Sequence, residues 1–209
     1  MKKIIIKPDS NPESPREWDN MTEMICFHRK YSLGDNNPCF QERDFSSFQE
    51  LHDEIHRQCN VAAILPMYLY DHSGLSISTK QFDCRWDSGQ VGFIFITKET
   101  MIENFGGKNL TVKMQQKAVE ICESDVKTYD QYLSNEVYRF EIIESREMVS
   151  MSKQDWEAGN CDNVEHFVED FEIDSCGGFY GNNWFENGMS DHIPEELHEL
   201  LKTTEITYE

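Results

Sequence analysis

The segment Gln90–Thr97, QVGFIFIT, restricts the fold more than any other part of the chain. Its apolar residues are mostly aromatic or β-branched and carry no charge between them, which reads as a sheet strand. Val61–Tyr70, VAAILPMYLY, reads as a buried strand as well. Pro66 removes a ladder donor from it and predicts a bulge or a sheet edge at that point. Shorter strands are predicted over Met24–Phe27, over Leu75–Thr79 after a Ser73-Gly74 turn, over Val137–Ile143, and over Phe171–Gly181, which ends in a glycine-rich turn.

Helix signals lie between these runs. Ser47 and Glu50 have the spacing of a capping box ahead of an apolar stripe at Phe48, Leu51 and Ile55. Thr97 is placed to cap a short helix holding Met101, Ile102 and Phe105, which Gly106-Gly107 ends. Thr111 would cap a long helix reaching about Leu133, and Pro194 would open a last one in IPEELHELLK. The order β-α-β-β-β-α-α-β-β-α implies an α+β fold, with a mostly antiparallel sheet flanked by helices. The expected organisation is an N-terminal segment over 1–20, a domain over 21–181 with an acidic insertion near 145–170, and an acidic helical tail over 182–209.

The chain has 209 residues, 39 acids and 19 bases, and a formal charge of −20. The excess is uneven. Residues 1–119 hold sixteen acids and fourteen bases, whereas residues 120–209 hold twenty-three acids and five bases. Such a surface excludes direct binding to nucleic acid and favours cationic partners. No apolar run approaches a membrane span, and the three isoleucines after Lys3 are too few for a signal peptide, so no membrane contact and a cytoplasmic location are expected. Seven cysteines, at 26, 39, 59, 84, 122, 161 and 176, contain no C-x-x-C pair. They read as reduced thiols, with no metal and no cofactor expected.

Three constellations carry chemistry. His52 and His56 stand at i, i+4 on a helix, a spacing able to grip a metal, but Asp53 occupies the place of the glutamate that follows the first histidine in zinc proteases. Asp71-His72-Ser73-Gly74 precedes Cys84, Trp86 and Asp87 by a distance that a hairpin can fold back. His72, Cys84 and Asp87 could then meet as a thiol–base site, or serve as turn residues. Asp174–Gly181, DSCGGFYG, has phosphate-loop glycines but lacks the lysine and helix that a P-loop needs.

The blocks HRKYSLGD, LYDHSGLSIST, CRWDSGQVGFIF, TYDQYLSNEVYRFEI and DSCGGFYG, running in order from His28 to Gly181, resemble a family of small uncharacterised proteins encoded by bacteriophages and their integrated relatives. Lys30 stands where that family usually has a second arginine. The resemblance implies a phage source and supplies no catalytic residues. With the charge, it leads to an expected function: binding and inhibiting a host defence or nucleic-acid-acting protein that has a basic surface. The contact would use Glu165, Glu169, Asp170, Glu172 and Asp174, with Trp156, Phe167, Phe171 and Trp184 as aromatic anchors. A homo-oligomer is compatible with this reading. The alternative is an enzyme or small-ligand binder with a pocket around His72, Cys84 and Asp87.

Overall fold

A computed structural model of the chain describes residues 1–159 and 164–208. In chain order its strands are β1 (Lys2–Pro8), β2 (Glu23–Cys26), β3 (Val61–Asp71), β4 (Leu75–Ser78), β5 (Ser88–Thr97), β6 (Val137–Ser150) and β7 (Glu165–Tyr180). Its helices are α1 (Phe48–Gln58), α2 (Lys98–Phe105), α3 (Val112–Leu133), α4 (Lys153–Ala158) and α5 (His198–Leu201). The fold is α+β, and the strands pair antiparallel in two sheets, of order β1-β6-β7 and β2-β5-β3-β4. The chain separates into two units, Met1–Pro12 with Val137–Glu209, and Glu13–Glu136. This boundary differs from the expected one at residues 20 and 181, because pairing of the first strand with the sixth is invisible to local pattern.

In the 13–136 unit, β5 is an inner strand covered on both faces. Val91, Ile94 and Ile96 pack with Ala118, Cys122, Val126 and Tyr129 of α3. Phe93 and Phe95 pack with Leu51 and Ile55 of α1 and with Ile25 and Phe40. A strand buried on two sides has no position for a polar residue, which is why QVGFIFIT shows no alternation. Pro66 pairs with Phe93, while β4 reaches only Tyr68–Asp71, so the proline faces no strand on its other side. The register slips just beyond it, between Met67 and Tyr68. Bulge and edge therefore occur together.

The caps follow the sequence closely. Ser47 Oγ accepts from the Glu50 amide at 3.2 Å, Thr97 Oγ1 from Thr100 at 3.1 Å and Thr111 Oγ1 from Met114 at 3.3 Å. The capping box is shifted by one residue, since the Glu50 carboxylate accepts from Ser46, at 2.8 Å from its amide and 2.7 Å from its hydroxyl. Beneath β2, the nearly buried Arg16 donates two bonds of 2.8 Å to Asp35 and one of 2.9 Å to the Thr22 carbonyl. Asp35 also accepts from the Met24 amide at 2.8 Å, and Thr22 donates to Asp125 at 2.5 Å.

In the other unit, Ile4 and Ile6 of β1 pack against Tyr138, Phe140 and Ile142 of β6, with Met189, Ile193, Leu197 and Leu201 closing the core. The N-terminal residues expected as a separate segment are thus a sheet strand. The expected helical tail holds only two short 3-10 turns and α5, which spans four residues. It contributes core rather than a detached acidic surface. Cutting the chain by unit also redistributes charge: 19 acids and 7 bases in the 1–12/137–209 unit, 20 and 12 in the other. Lysines of β1 offset part of the first excess, Lys2 with Glu196 at 3.1 Å, Lys3 with Asp170 at 2.6 Å and Lys7 with Glu141 at 3.3 Å.

Candidate functional site

Two places bring the expected residues together. The first is the loop region joining β3, β4 and β5. Ser73 takes a left-handed conformation, φ 58°, to turn the β3–β4 hairpin, and Asp71 donates its amide to the Asp87 carbonyl at 2.8 Å. This pairing brings His72 Nδ1 to 3.5 Å from Asp87 Oδ2 and Cys84 Sγ to 3.5 Å from the same oxygen. The three residues do converge, with the carboxylate in the middle. A cysteine nucleophile needs the imidazole between thiol and carboxylate, because the imidazole takes the proton. The arrangement is that of a bonded turn, reinforced by the Ser88 hydroxyl donating to the Cys84 carbonyl.

Two of the other thiols are poor nucleophiles. Burial pushes Cys26 and Cys122 up to about 12 from 9.0, and the charge of Asp35 on the first and of Asp125 on the second adds to the rise. Tyr129 is likewise pushed up to about 12 by burial. A folded-state value above the unfolded one stabilises the fold below the unfolded pKa and is lost as pH rises through the folded one. On the alkaline side, the expected result is a midpoint for thermal unfolding that begins to fall at about pH 9 and falls steadily from there towards 12. In Cys122→Ala the fall should be shallower, and an unchanged slope between pH 9 and 11 would remove this cause.

The second place is the β6–β7 hairpin. The last β1 pairing is Lys2 with Glu144, and Met1 still exchanges backbone bonds with Ser145, so beyond it Arg146–Ser150 and Glu165–Glu169 run on as a two-stranded arm. The stretch expected as an insertion near 145–170 is this arm. Ser152 caps α4 within it, and Gly159 ends that helix in the left-handed conformation. Asn160, Cys161, Asp162 and Asn163 lie outside the described residues. Alternation puts Glu165, Phe167, Glu169 and Phe171 on one face and His166, Val168, Asp170 and Glu172 on the other. Phe167, Val168, Val149 and Trp156 are exposed, Trp156 by 74 %. The Arg146 guanidinium lies 5.2 Å from the Phe171 ring centre.

Not every expected contact residue is free to act. Asp170 accepts from Lys3 Nζ and Ser145 Oγ, both at 2.6 Å, and the Lys3 bond holds its carboxyl below the usual range. Glu172 accepts from Ser175 at 2.7 Å. Trp184 packs edge-on against Tyr138, 5.2 Å between ring centres, at the border of the core. It is a packing residue, unlike Trp156. Glu165, Glu169 and Asp174 remain exposed.

The remaining constellations are structural. His52 and His56 lie tilted at 59° with 4.5 Å between ring centres, and His52 lies against Phe93 at 5.4 Å. Among the described residues no group of three or more His, Cys, Asp or Glu side chains is placed to hold a metal. The glycines of DSCGGFYG form a bulge inside β7, where Gly178, φ 82°, donates its amide to Asp9 at 2.9 Å. A Cβ on Gly177 would come to 2.5 Å from that carboxylate. The expected glycine-rich turn is therefore a strand feature that seats β1. No helix of the described residues is long and apolar enough to cross a membrane. Compared with family models, with curated proteins and with solved structures, the chain matches none.

Proposed function

We propose that this chain is a phage-encoded binding protein that inhibits a host defence or nucleic-acid-acting protein by seating its β6–β7 arm on a basic surface. One observation carries the reading. A two-stranded ribbon is at best marginally stable alone in water, yet this one extends beyond its third strand with apolar side chains exposed on both faces and acids between them. A partner that covers the aromatics and pairs with the carboxylates would account for both features. The outer side of β7 also pairs with no strand among the described residues, which leaves its backbone groups open to an added strand.

Magnitudes narrow the idea. Glu165 to Asp174 places five carboxylates along about 30 Å of strand, at roughly 3.3 Å per residue. That is one charge per about 6 Å, against one per roughly 3.4 Å of axis for a single DNA strand. Charge alone imitates nucleic acid at about half density, so Trp156, Phe167 and Val168 must contribute to the contact. The test is capture of host proteins by the tagged chain at low and moderate salt, repeated with Glu165, Glu169, Glu172 and Asp174 all changed to lysine. The expected result is a nucleic-acid-binding protein that is retained by the native chain, displaced by added DNA, and lost by the charge-reversed variant with its circular dichroism unchanged. Retention of the same protein by that variant at the same salt would sink the proposal.

A further inference from the structure

Beside the His72–Asp87–Cys84 turn, a cleft of about 430 Å³ opens between the loop after β2 and the start of β5. One wall is His28, Arg29 and Lys30. The other is Trp86 through Gln90, and Leu69, Asp71 and Val91 form the rest. The volume falls in the range of small-molecule sites. All of these residues belong to the 13–136 unit, and none belongs to the arm.

The polar groups of this cleft divide by what they already bond. The acids are engaged within the fold: Asp71 accepts from the Tyr31 hydroxyl at 3.1 and 3.2 Å and pairs with Lys30 at 3.4 Å, and Asp87 carries His72 and Cys84. The donors are not. The chain has seven arginines, and five of them, Arg16, Arg43, Arg57, Arg139 and Arg146, lie within 4.0 Å of a carboxylate. The other two, Arg29 and Arg85, make no hydrogen bond or ion pair with any described residue. Arg29 lines the cleft, and Arg85 precedes Trp86 in the chain. In a protein with twice as many acids as bases, an arginine without a carboxylate is the unusual case. Lys30 keeps donors to spare, its side chain being 72 % exposed.

Trp86 completes the set. Its indole is 95 % exposed at the cleft rim. An exposed aromatic plane beside a free guanidinium and an ammonium matches a ligand with a flat ring and an anionic group. Bases stack on such aromatics, and guanidinium and ammonium groups bind phosphate. The stack of His28 on Tyr31, 5.0 Å between ring centres, holds the basic wall in place.

We propose that this cleft binds a nucleoside phosphate, with Trp86 stacking on the base and Arg29 and Lys30 holding the phosphate. The site is independent of the arm. The experiment is calorimetric titration of the full chain with AMP, ATP, the three other ribonucleoside triphosphates, adenosine and inorganic pyrophosphate. At least one nucleotide is expected to bind in the micromolar range, with adenosine and pyrophosphate at least 10-fold weaker, since each fills only one half of the site. Arg29→Ala and Trp86→Ala should each weaken binding by about 10-fold or more. Both side chains are exposed, so both variants should keep the native unfolding midpoint. The arm charge-reversal variant should bind the nucleotide as the native chain does. No nucleotide binding at millimolar concentration, pyrophosphate as tight as ATP, or full affinity in both single variants would each overturn the proposal.

Discussion

Replacing Gly92 with alanine is expected to cost the 13–136 unit its native packing. Gly92 sits on β5 opposite Cys26 of β2, and a Cβ there would overlap the carbonyl oxygen of Ile25. It would also come within 2.8 Å of that carbonyl carbon and 2.9 Å of the Cys26 Cα. All of these are backbone atoms, so no side-chain rotation relieves the overlap and β2 must move off the sheet. Ile25 and Met24 lie in the cores on the two faces of that strand. The cost should therefore lie at or above the upper end of the roughly 1–3 kcal/mol usual for an overpacked core. Gly89→Ala is the matched control, because a Cβ there meets nothing within 4 Å. In urea unfolding of the intact chain, Gly89→Ala should keep the native midpoint, and Gly92→Ala should lose near-ultraviolet dichroism at much lower urea. Equal midpoints would show that the β2–β5 approach is looser than described.

Arg16→Met is the second large effect. The Arg16 side chain is only 5 % exposed, and it satisfies Asp35 bidentately while lying 3.8 Å from Asp125. Methionine fills much the same space and leaves two part-buried carboxylates without their cation. Removing one partner of a buried pair costs about 3–5 kcal/mol. The two carboxylates keep some solvent, at 23 % and 24 % exposure, so the lower end is expected. Asp35→Asn added to Arg16→Met should recover part of the loss, because it removes the stranded charge while its oxygen can still accept from the Met24 amide. A single-variant loss below about 1 kcal/mol, or a double variant less stable than the single, would contradict this account.

Local features were legible because they act over a few residues. Ser47, Thr97 and Thr111 mark helix starts through bonds to an amide three residues on, and Gly106 at φ 77° marks an end. Pro66 predicted its own irregularity. The candidate residues Glu165 to Asp174 and Trp156 were legible as an acidic, aromatic stretch, since composition alone exposes such a run. What was missed depends on partners far along the chain. The three isoleucines of β1 gained meaning from β6, about 135 residues away, and Gly92 from a carbonyl on β2. Arg29 and Trp86 stand in separate segments, and nothing in either segment says that they border one cleft.

The sequence by itself determined the α+β class, the placing of α1, α2, α3 and most strands, and the acidic character of the last 90 residues. Each of these follows from side-chain type and short spacing. The tertiary structure decided that there are two sheets rather than one, and that the acidic stretch is an arm rather than an insertion with a tail. It also decided that His72 and Cys84 meet at Asp87 in the wrong order for a nucleophile. Those outcomes rest on strand pairing and on which polar groups are already bonded, and both are set by contacts between residues that the chain order keeps apart.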